Sequence, residues 1–210
     1  MASRALFFDV DGVVVHGFHA RPERRRRWDE ALLQDLGIEP SAFIEHFIRG
    51  PFEREVLLGR RSLVSALEEV LPRLGYAGSP MNLIDYWLRR DSQLNFQLLD
   101  LIARLRRSGA GPIYLATNQE HLRAFHLWST LGLRLSFDDI FYAARLGVAK
   151  PQPAFFEAIE RQIGPQAEPP LFFDDSGTVV TAARAHGWEA VLFDTIDDCA
   201  AHPWIAAQLR

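Results

Sequence analysis

Two aspartates one residue apart, Asp9 and Asp11, end the apolar run of "RALFFDVDGVV" (Arg4–Val14). Carboxylates this close repel, and burying an unpaired charge costs several kcal/mol, so the pair needs something that offsets the cost. A hard divalent cation does so: Mg²⁺ takes a few protein oxygens and keeps water and phosphate oxygens around it. Such a pair can also carry covalent chemistry. One carboxylate attacks phosphorus to form an acyl phosphate, and an acid two positions on exchanges a proton with the leaving oxygen. Taken alone, the stretch reads first as a strand-ending turn at Gly12, and the remaining segments decide between the two.

Other polar residues of the same kind end similar segments. Thr117 and Asn118 close "PIYLATN" (112–118), Asp174 and Asp175 close "PPLFFDDS" (169–176), and Lys150 lies in "GVAKPQP" after "DIFYAA" (139–144). With "WEAVLFD" (188–194), these are short aliphatic and aromatic runs without polar alternation, the pattern of strands buried on both faces. Between them run helical patterns over 95–109, 120–132, 153–164 and 178–187. Alternating strands and helices predict a doubly wound, Rossmann-like α/β fold with a parallel sheet, in which ligands bind beyond the carboxyl ends of the strands. There Thr117, at the start of a helical run from Gln119, offers a phosphate its hydroxyl and backbone N–H groups while also suiting a helix cap. Lys150 offsets charge on the nucleophile and the phosphoryl group.

From His16 to Asp91 the chain has helical patterns and no convincing buried strand. Residues 1–15 and 92–210 are therefore expected to form the core and residues 16–91 an inserted helical cap. Within it, Arg24–Arg27 read as consecutive positions of a helix, pointing around its axis into solvent. The segment "FIRGPFER" (47–54) reads as a loop whose Arg49 and Arg54 reach the substrate's leaving group. His16 and His19 read as structural or solvent-facing. The chain of 210 residues is 48% hydrophobic and 24% charged, with a net charge of −4. That balance gives no global attraction to nucleic acid or anionic membranes. No apolar run approaches the roughly 18 residues that span a bilayer. One cysteine, Cys199, excludes an intrachain disulfide and a Cys-rich zinc site and suits a reducing cytoplasm; its acidic surroundings disfavour a thiolate.

Together, "FFDVDGVV", "IYLATN", "VAKPQPAFF" and "LFFDDS" resemble, in order, the four motifs of the haloacid dehalogenase-like hydrolases, and the resemblance covers essentially the whole chain. The insertion sits where that family carries its helical cap, and "HFIRGPFEREVLLGRRSLVSALEEVL" is similar to the cap of its small sugar-phosphate phosphatases. The resemblance implies Asp9 as nucleophile and Asp11 as general acid and base. It implies Thr117, Asn118 and Lys150 around the phosphate, and Mg²⁺ on Asp9, the Asp11 carbonyl and Asp175, with Asp174 in either the first or the second layer of ligands. It implies a small phosphorylated substrate, such as a sugar phosphate, and no nucleic-acid or membrane partner. The acid at Asp11 favours a phosphatase over a dehalogenase. A phosphomutase with the same intermediate, a dehalogenase and a non-catalytic binding relative are the alternatives. Val179 stands where double-aspartate relatives often carry Asn, which touches an outer contact of the metal site.

Overall fold

The computed structural model describes residues 4–210. Among them seven strands form: β1 (Leu6–Phe8), β2 (Val15–His16), β3 (Gln93–Leu94), β4 (Ile113–Thr117), β5 (Asp139–Tyr142), β6 (Leu171–Asp174) and β7 (Glu189–Leu192). Five make one parallel sheet in the order β5-β4-β1-β6-β7. Leu6 lies beside both Ile113 and Leu171, and Phe8 beside Leu115 and Phe173. The chain leaves β1 towards β4 and β5 on one side and returns to β6 and β7 on the other. The carboxyl end of β1 is therefore the switch point where an open α/β sheet leaves a crevice.

β1 can be central because none of its three residues needs water. Leu6 and Phe8 point to one face, against Leu98, Ile102 and Leu105 of the helix Phe96–Ser108. Phe7 points to the other, against Phe155, Phe156 and Trp188. Aromatic contacts tie the strands together: Phe8 stacks on Phe173 with centroids 5.2 Å apart, and Phe7 lies 4.7 Å from Trp188. Helices Phe96–Ser108, Pro153–Ile163 and Gly177–Ala185 cover the sheet. Among the described residues no helix is long and apolar enough to cross a membrane.

The insertion has an apolar centre of its own, with Leu32, Phe43, Phe47, Leu67, Leu83 and Trp87 packed together. Its helical segments are the turn Pro22–Arg24, then Leu32–Leu36, Pro40–Phe43, Ile44–Val56, Leu63–Val70, Leu71–Leu74 and Pro80–Arg90. At its base β2 and β3 pair antiparallel, Val15 with Leu94 and His16 with Gln93. Strands of two residues have no periodicity for a sequence reading to detect.

Two local expectations change. Arg24–Arg27 do not lie on one helix. A single turn, Pro22–Arg24, gives way to extended backbone at Arg25 (φ −65°, ψ 133°). Like charges at adjacent helical positions gain nothing, whereas here each arginine has its own acceptor or ring. Arg24 pairs with Asp194 at 2.6 Å and Arg27 with Asp29 at 2.9 Å. Arg26 bonds Gln93, and Arg25 lies 4.4 Å over the Phe18 ring. The segment 47–54, read as a loop, is part of the helical stretch Ile44–Val56, broken at Gly50 (φ −103°, ψ −116°) ahead of Pro51, whose missing N–H cannot continue the helical bonds.

Asn95 holds together the chain segments on either side of the insertion. Its side chain accepts from Leu98 N–H at 3.2 Å, capping the helix Phe96–Ser108, and donates to the Val13 carbonyl at 3.0 Å. Asn95→Ala leaves both buried groups unpaired, and a loss of about 1–3 kcal/mol is expected, measurable as a lower urea midpoint at unchanged slope.

Candidate active site

The switch point collects the polar residues. Asp9 follows β1 directly, its N–H bonded to the Phe173 carbonyl at 2.9 Å. Thr117 ends β4 and is buried. Asp174 ends β6, with Asp175 next to it. Lys150 comes from the loop after β5 and is buried, its Nζ 2.9 Å from Asp9 Oδ1 and 2.7 Å from Asp174 Oδ2. Gly12 permits the turn, since it has φ +76° and a Cβ there would lie 2.3 Å from Asp175 Oδ2.

The electrostatics follow from crowding. Burial raises the Asp9 carboxyl well above its ordinary range; the Lys150 ammonium opposes this, and the charges of Asp174 and Asp175 add to it. Burial likewise lifts Asp175 to about 6, against the Ala20 N–H, with Asp174 pushing the same way. Burial favours neutral Lys150, but Asp174 and Asp9 more than offset that and hold it above its ordinary value. With all three carboxylates ionised, one ammonium would leave the cluster net negative, and burial pushes Asp9 and Asp175 towards the protonated form.

Its donor set fits a hard divalent cation. One oxygen each of Asp9, Asp174 and Asp175 lies within 4.8 Å of the others. Asp9 Oδ1 is occupied by Lys150 and by Val10 N–H at 2.7 Å, and Asp175 Oδ2 by Ala20 N–H at 2.6 Å. The second oxygen of each has no protein donor among the described residues. Asp174 differs: Oδ2 takes Lys150 and Oδ1 takes Ser176 N–H at 2.8 Å. It therefore acts first as the counter-charge of Lys150.

Two further placements differ from the sequence reading. Asn118 spends its side chain on the backbone of Lys150: Nδ2 donates to the Lys150 carbonyl at 3.0 Å, and Oδ1 accepts Lys150 N–H at 2.9 Å. It holds the lysine loop, so a phosphate would meet its backbone and not its amide. Thr117 caps no helix. The helix His121–Phe125 begins later and is capped by Glu120, whose carboxylate accepts Leu122 and Arg123 N–H. The Thr117 hydroxyl instead accepts from Gln119 Nε2 at 3.3 Å. The Asp11 carboxylate stands apart from the cation cluster, forked by Arg123 at 2.7 and 2.9 Å and bonded by Gln119 at 2.6 Å.

Arg123, Gln119 and Asp91 were not anticipated. A signal was present for Arg123: it stands four residues before Leu127, in the apolar stripe of its helix, and a charge in such a stripe is buried only when paired. His19 is buried as expected of a structural histidine, with Nδ1 accepting Arg21 N–H at 3.0 Å and lying 3.1 Å from Asp175 Oδ2.

Above these residues lies a cavity of about 760 Å³ shared by core and insertion. Asp9, Asp11, Thr117, Lys150 and Asp175 line its floor, and Phe18, Trp28, Ile44, Ile48, Phe52 and Leu88 its wall. Arg49 lines it, as do Arg25, Arg26 and Arg27. Arg54 is exposed and is not among the lining residues.

A five-stranded parallel sheet with aspartates after its central strand, a buried lysine and a helical insertion over the crevice defines a Rossmann-like hydrolase scaffold. Residues 3–187 match the family model described as haloacid dehalogenase-like hydrolase, and the chain belongs to that family. It is 27% identical over 211 residues to phosphatase MT3486 of Mycobacterium tuberculosis, covering 92% of this chain and 88% of that one. It is 25% identical over 186 residues to fructose-1-phosphate phosphatase YqaB of Escherichia coli, covering 89% and 94%. Other curated relatives are longer: the match spans only 12% of drimenol cyclase drtB of Aspergillus calidoustus. The fold superposes on the HAD family enzyme BT-2542 of Bacteroides thetaiotaomicron with a TM-score of 0.74 at 18% identity, covering 96% and 98% of the two chains. BT-2542 has also been solved in complex with magnesium and inorganic phosphate.

The raised Asp175 carboxyl gives a signed expectation. Its preference for the protonated form stabilises the fold fully below its ordinary value of 3.8, and that contribution is lost as pH rises through about 6. Asp175→Asn escapes the loss. In metal-free buffer its melting temperature should exceed wild type by about 2 °C or more near pH 7, the gap closing towards about pH 4. A gap independent of pH would show that the carboxyl is not strained.

Proposed function

We propose that the chain is a phosphatase for a small phosphomonoester, working through an aspartyl-phosphate with Mg²⁺. The observation that carries this reading is the joint placement of Asp9, Lys150, Asp174 and Asp175 at the switch point, with free carboxylate oxygens on Asp9 and Asp175. The magnesium and phosphate complex of BT-2542 and the phosphatase relatives support it.

In this reading Asp9 Oδ2, without a donor among the described residues, attacks phosphorus while the bond to the leaving oxygen breaks and that oxygen keeps the electron pair. Asp11 supplies the proton it needs. Water then attacks the phosphoryl group, Asp11 takes its proton, and the phosphorus–Asp9 bond breaks to release phosphate. Lys150 holds Asp9 Oδ1 and keeps the nucleophile's plane fixed. The Thr117 hydroxyl and the N–H groups after it face the phosphoryl oxygens. Asp9, Asp175 and the Asp11 carbonyl would hold the cation, which when bound neutralises phosphoryl charge and the surplus of carboxylates. The insertion acts as a cap that excludes water and reads the leaving group.

The cavity wall supports a finer reading of the leaving group. Charged side chains line part of it, but Arg25 is bonded to the His19 carbonyl at 2.7 Å and Arg49 to Glu45 at 3.1 Å, so the aromatic and aliphatic wall favours an apolar organic group over a sugar.

Asp9→Asn keeps the shape of the side chain but removes the nucleophile, so turnover of p-nitrophenyl phosphate should fall by at least about 1,000-fold with folding unchanged. Excess EDTA should abolish wild-type activity, Mg²⁺ restoring it and Ca²⁺ restoring it poorly. Either activity surviving would reject the mechanism. The leaving-group reading is checked on two primary alkyl esters: n-hexyl phosphate should exceed fructose 1-phosphate in kcat/KM by about tenfold, or about 1.4 kcal/mol. The reverse order would restore a sugar as the better fit.

A further inference from the structure

Arg123 is the point at which three parts of the chain meet. Its buried guanidinium grips both oxygens of Asp11, Nη2 to Oδ1 at 2.7 Å and Nη1 to Oδ2 at 2.9 Å. Nη2 also lies 3.0 Å from Asp91 Oδ2, and Nη1 donates to Gln119 Oε1 at 2.7 Å. Gln119 in turn donates to Asp11 Oδ2 at 2.6 Å. Asp91 terminates the last helix of the insertion, immediately ahead of Ser92 and β3, and accepts from Trp87 Nε1 at 3.2 Å. On the entering side of the insertion Gly17 leaves room for it: a Cβ at that position would lie 2.1 Å from Asp91 Oδ1. Asp91 is thus wedged between the two chain segments that carry the insertion.

Burying a guanidinium and the Asp91 carboxylate beside a partly exposed Asp11 is an expensive way to hold a helix, because apolar packing of the same volume does so at least as well. What apolar packing cannot do is fix the plane of a carboxylate. A guanidinium can, since its donors form a rigid fork matched to two oxygens, whereas an ammonium is a single point of charge. We propose that Arg123 is the positioning residue for Asp11, and that through Asp91 it ties the orientation of Asp11 to the hinge of the insertion. The inference rests on the reading of Asp11 as the group that protonates the leaving oxygen. Arg123 acts on the reaction through Asp11 and not by touching substrate.

The test is the dependence of kcat/KM on the leaving group, across substituted phenyl phosphates of similar shape from good to poor leaving groups, with Mg²⁺ present. kcat/KM covers the steps up to leaving-group departure, where the proton is needed most by poor leaving groups. Asp11→Asn should lose activity selectively on the poor leaving groups, by about 100-fold or more. Arg123→Lys, which keeps the charge but loses the fork, should show the same selectivity, with a loss of about tenfold or more on the poorest leaving group and little on p-nitrophenyl phosphate. The Asp11→Asn, Arg123→Lys double variant should lose no more than Asp11→Asn alone. Asp91→Asn leaves the fork in place, keeps the bond from Arg123 Nη2 to the Asp91 carbonyl at 3.3 Å and removes the charge of the anchor, and should give the selective loss at smaller amplitude. It also serves if Arg123→Lys fails to fold. Equal losses by Arg123→Lys on every ester, or losses that multiply in the double variant, would overturn the positioning role. An Asp91→Asn protein with the wild-type dependence would overturn the hinge link. Selective loss in Asp11→Asn beside a uniform loss in Arg123→Lys would reject this inference and leave the phosphatase reading intact. A wild-type chain inactive on the whole series would reject both.

Discussion

The buried ammonium of Lys150 is the interaction on which the site depends. It lies between Asp9 and Asp174 at 2.9 and 2.7 Å, and without it three aspartates would share a desolvated crevice with no positive charge among them. Removing one partner of such a pair strands the other, which is far costlier than never having built it. The fold accordingly fixes the lysine twice. Its side chain is held by two carboxylates from adjacent strands, and its backbone by the two-way amide bond of Asn118. The residue just after β4 and the loop that carries Lys150 are thereby locked to each other. The sheet register thus sets the separation of Asp9, Thr117 and Asp174, and the Asn118 bond carries that register into the loop.

A second constraint is the division of labour between paired aspartates. In both pairs the two acids meet different surroundings. Asp174 is saturated by Lys150 and a backbone N–H, while Asp175 keeps an oxygen free. Asp9 faces the ammonium, while Asp11 is turned onto the guanidinium of Arg123. Neighbouring carboxylates acquire distinct surroundings because each is given a different cationic or N–H partner, which in the proposed mechanism would let one sheet edge hold a nucleophile, a proton carrier and cation ligands together.

Much of this was legible in the sequence because buried parallel strands announce themselves as unbroken apolar runs. Leu6–Phe8, Ile113–Thr117 and Leu171–Asp174 each stop at a polar residue, and the stop marks the carboxyl edge. The helix Phe96–Ser108 was equally plain, with Asn95 to start it and Gly109 to end it. What stayed hidden depends on contacts between distant segments. Nothing in "RRDSQ" distinguishes Asp91, buried against Arg123, from an exposed acid after a helix. Four consecutive arginines carry no periodicity, so nothing in the pattern indicated that Arg25–Arg27 would run extended along the cavity. The two-residue ribbon of β2 and β3 is specified by closure of the insertion and not by strand propensity. Asn118 illustrates the difference between position and role: its place at the end of β4 was readable, but its two partners lie 32 residues away.

The ribbon at the base of the insertion bears on how the chain acquires its shape. The central strand is also the first, and Leu6 must find its neighbours at positions 113 and 171, a topology whose long-range contacts slow folding. The insertion, by contrast, has an apolar centre drawn entirely from residues between Leu32 and Trp87, so it can condense from contacts that are close in sequence. Once β2 and β3 bring its two ends together, the stretch between β1 and β4 behaves as a much shorter tether, and the entropic cost of closing that loop falls with its effective length. The segment that covers the crevice in the finished protein thus also serves assembly, by shortening the search that the first strand must make for its partners.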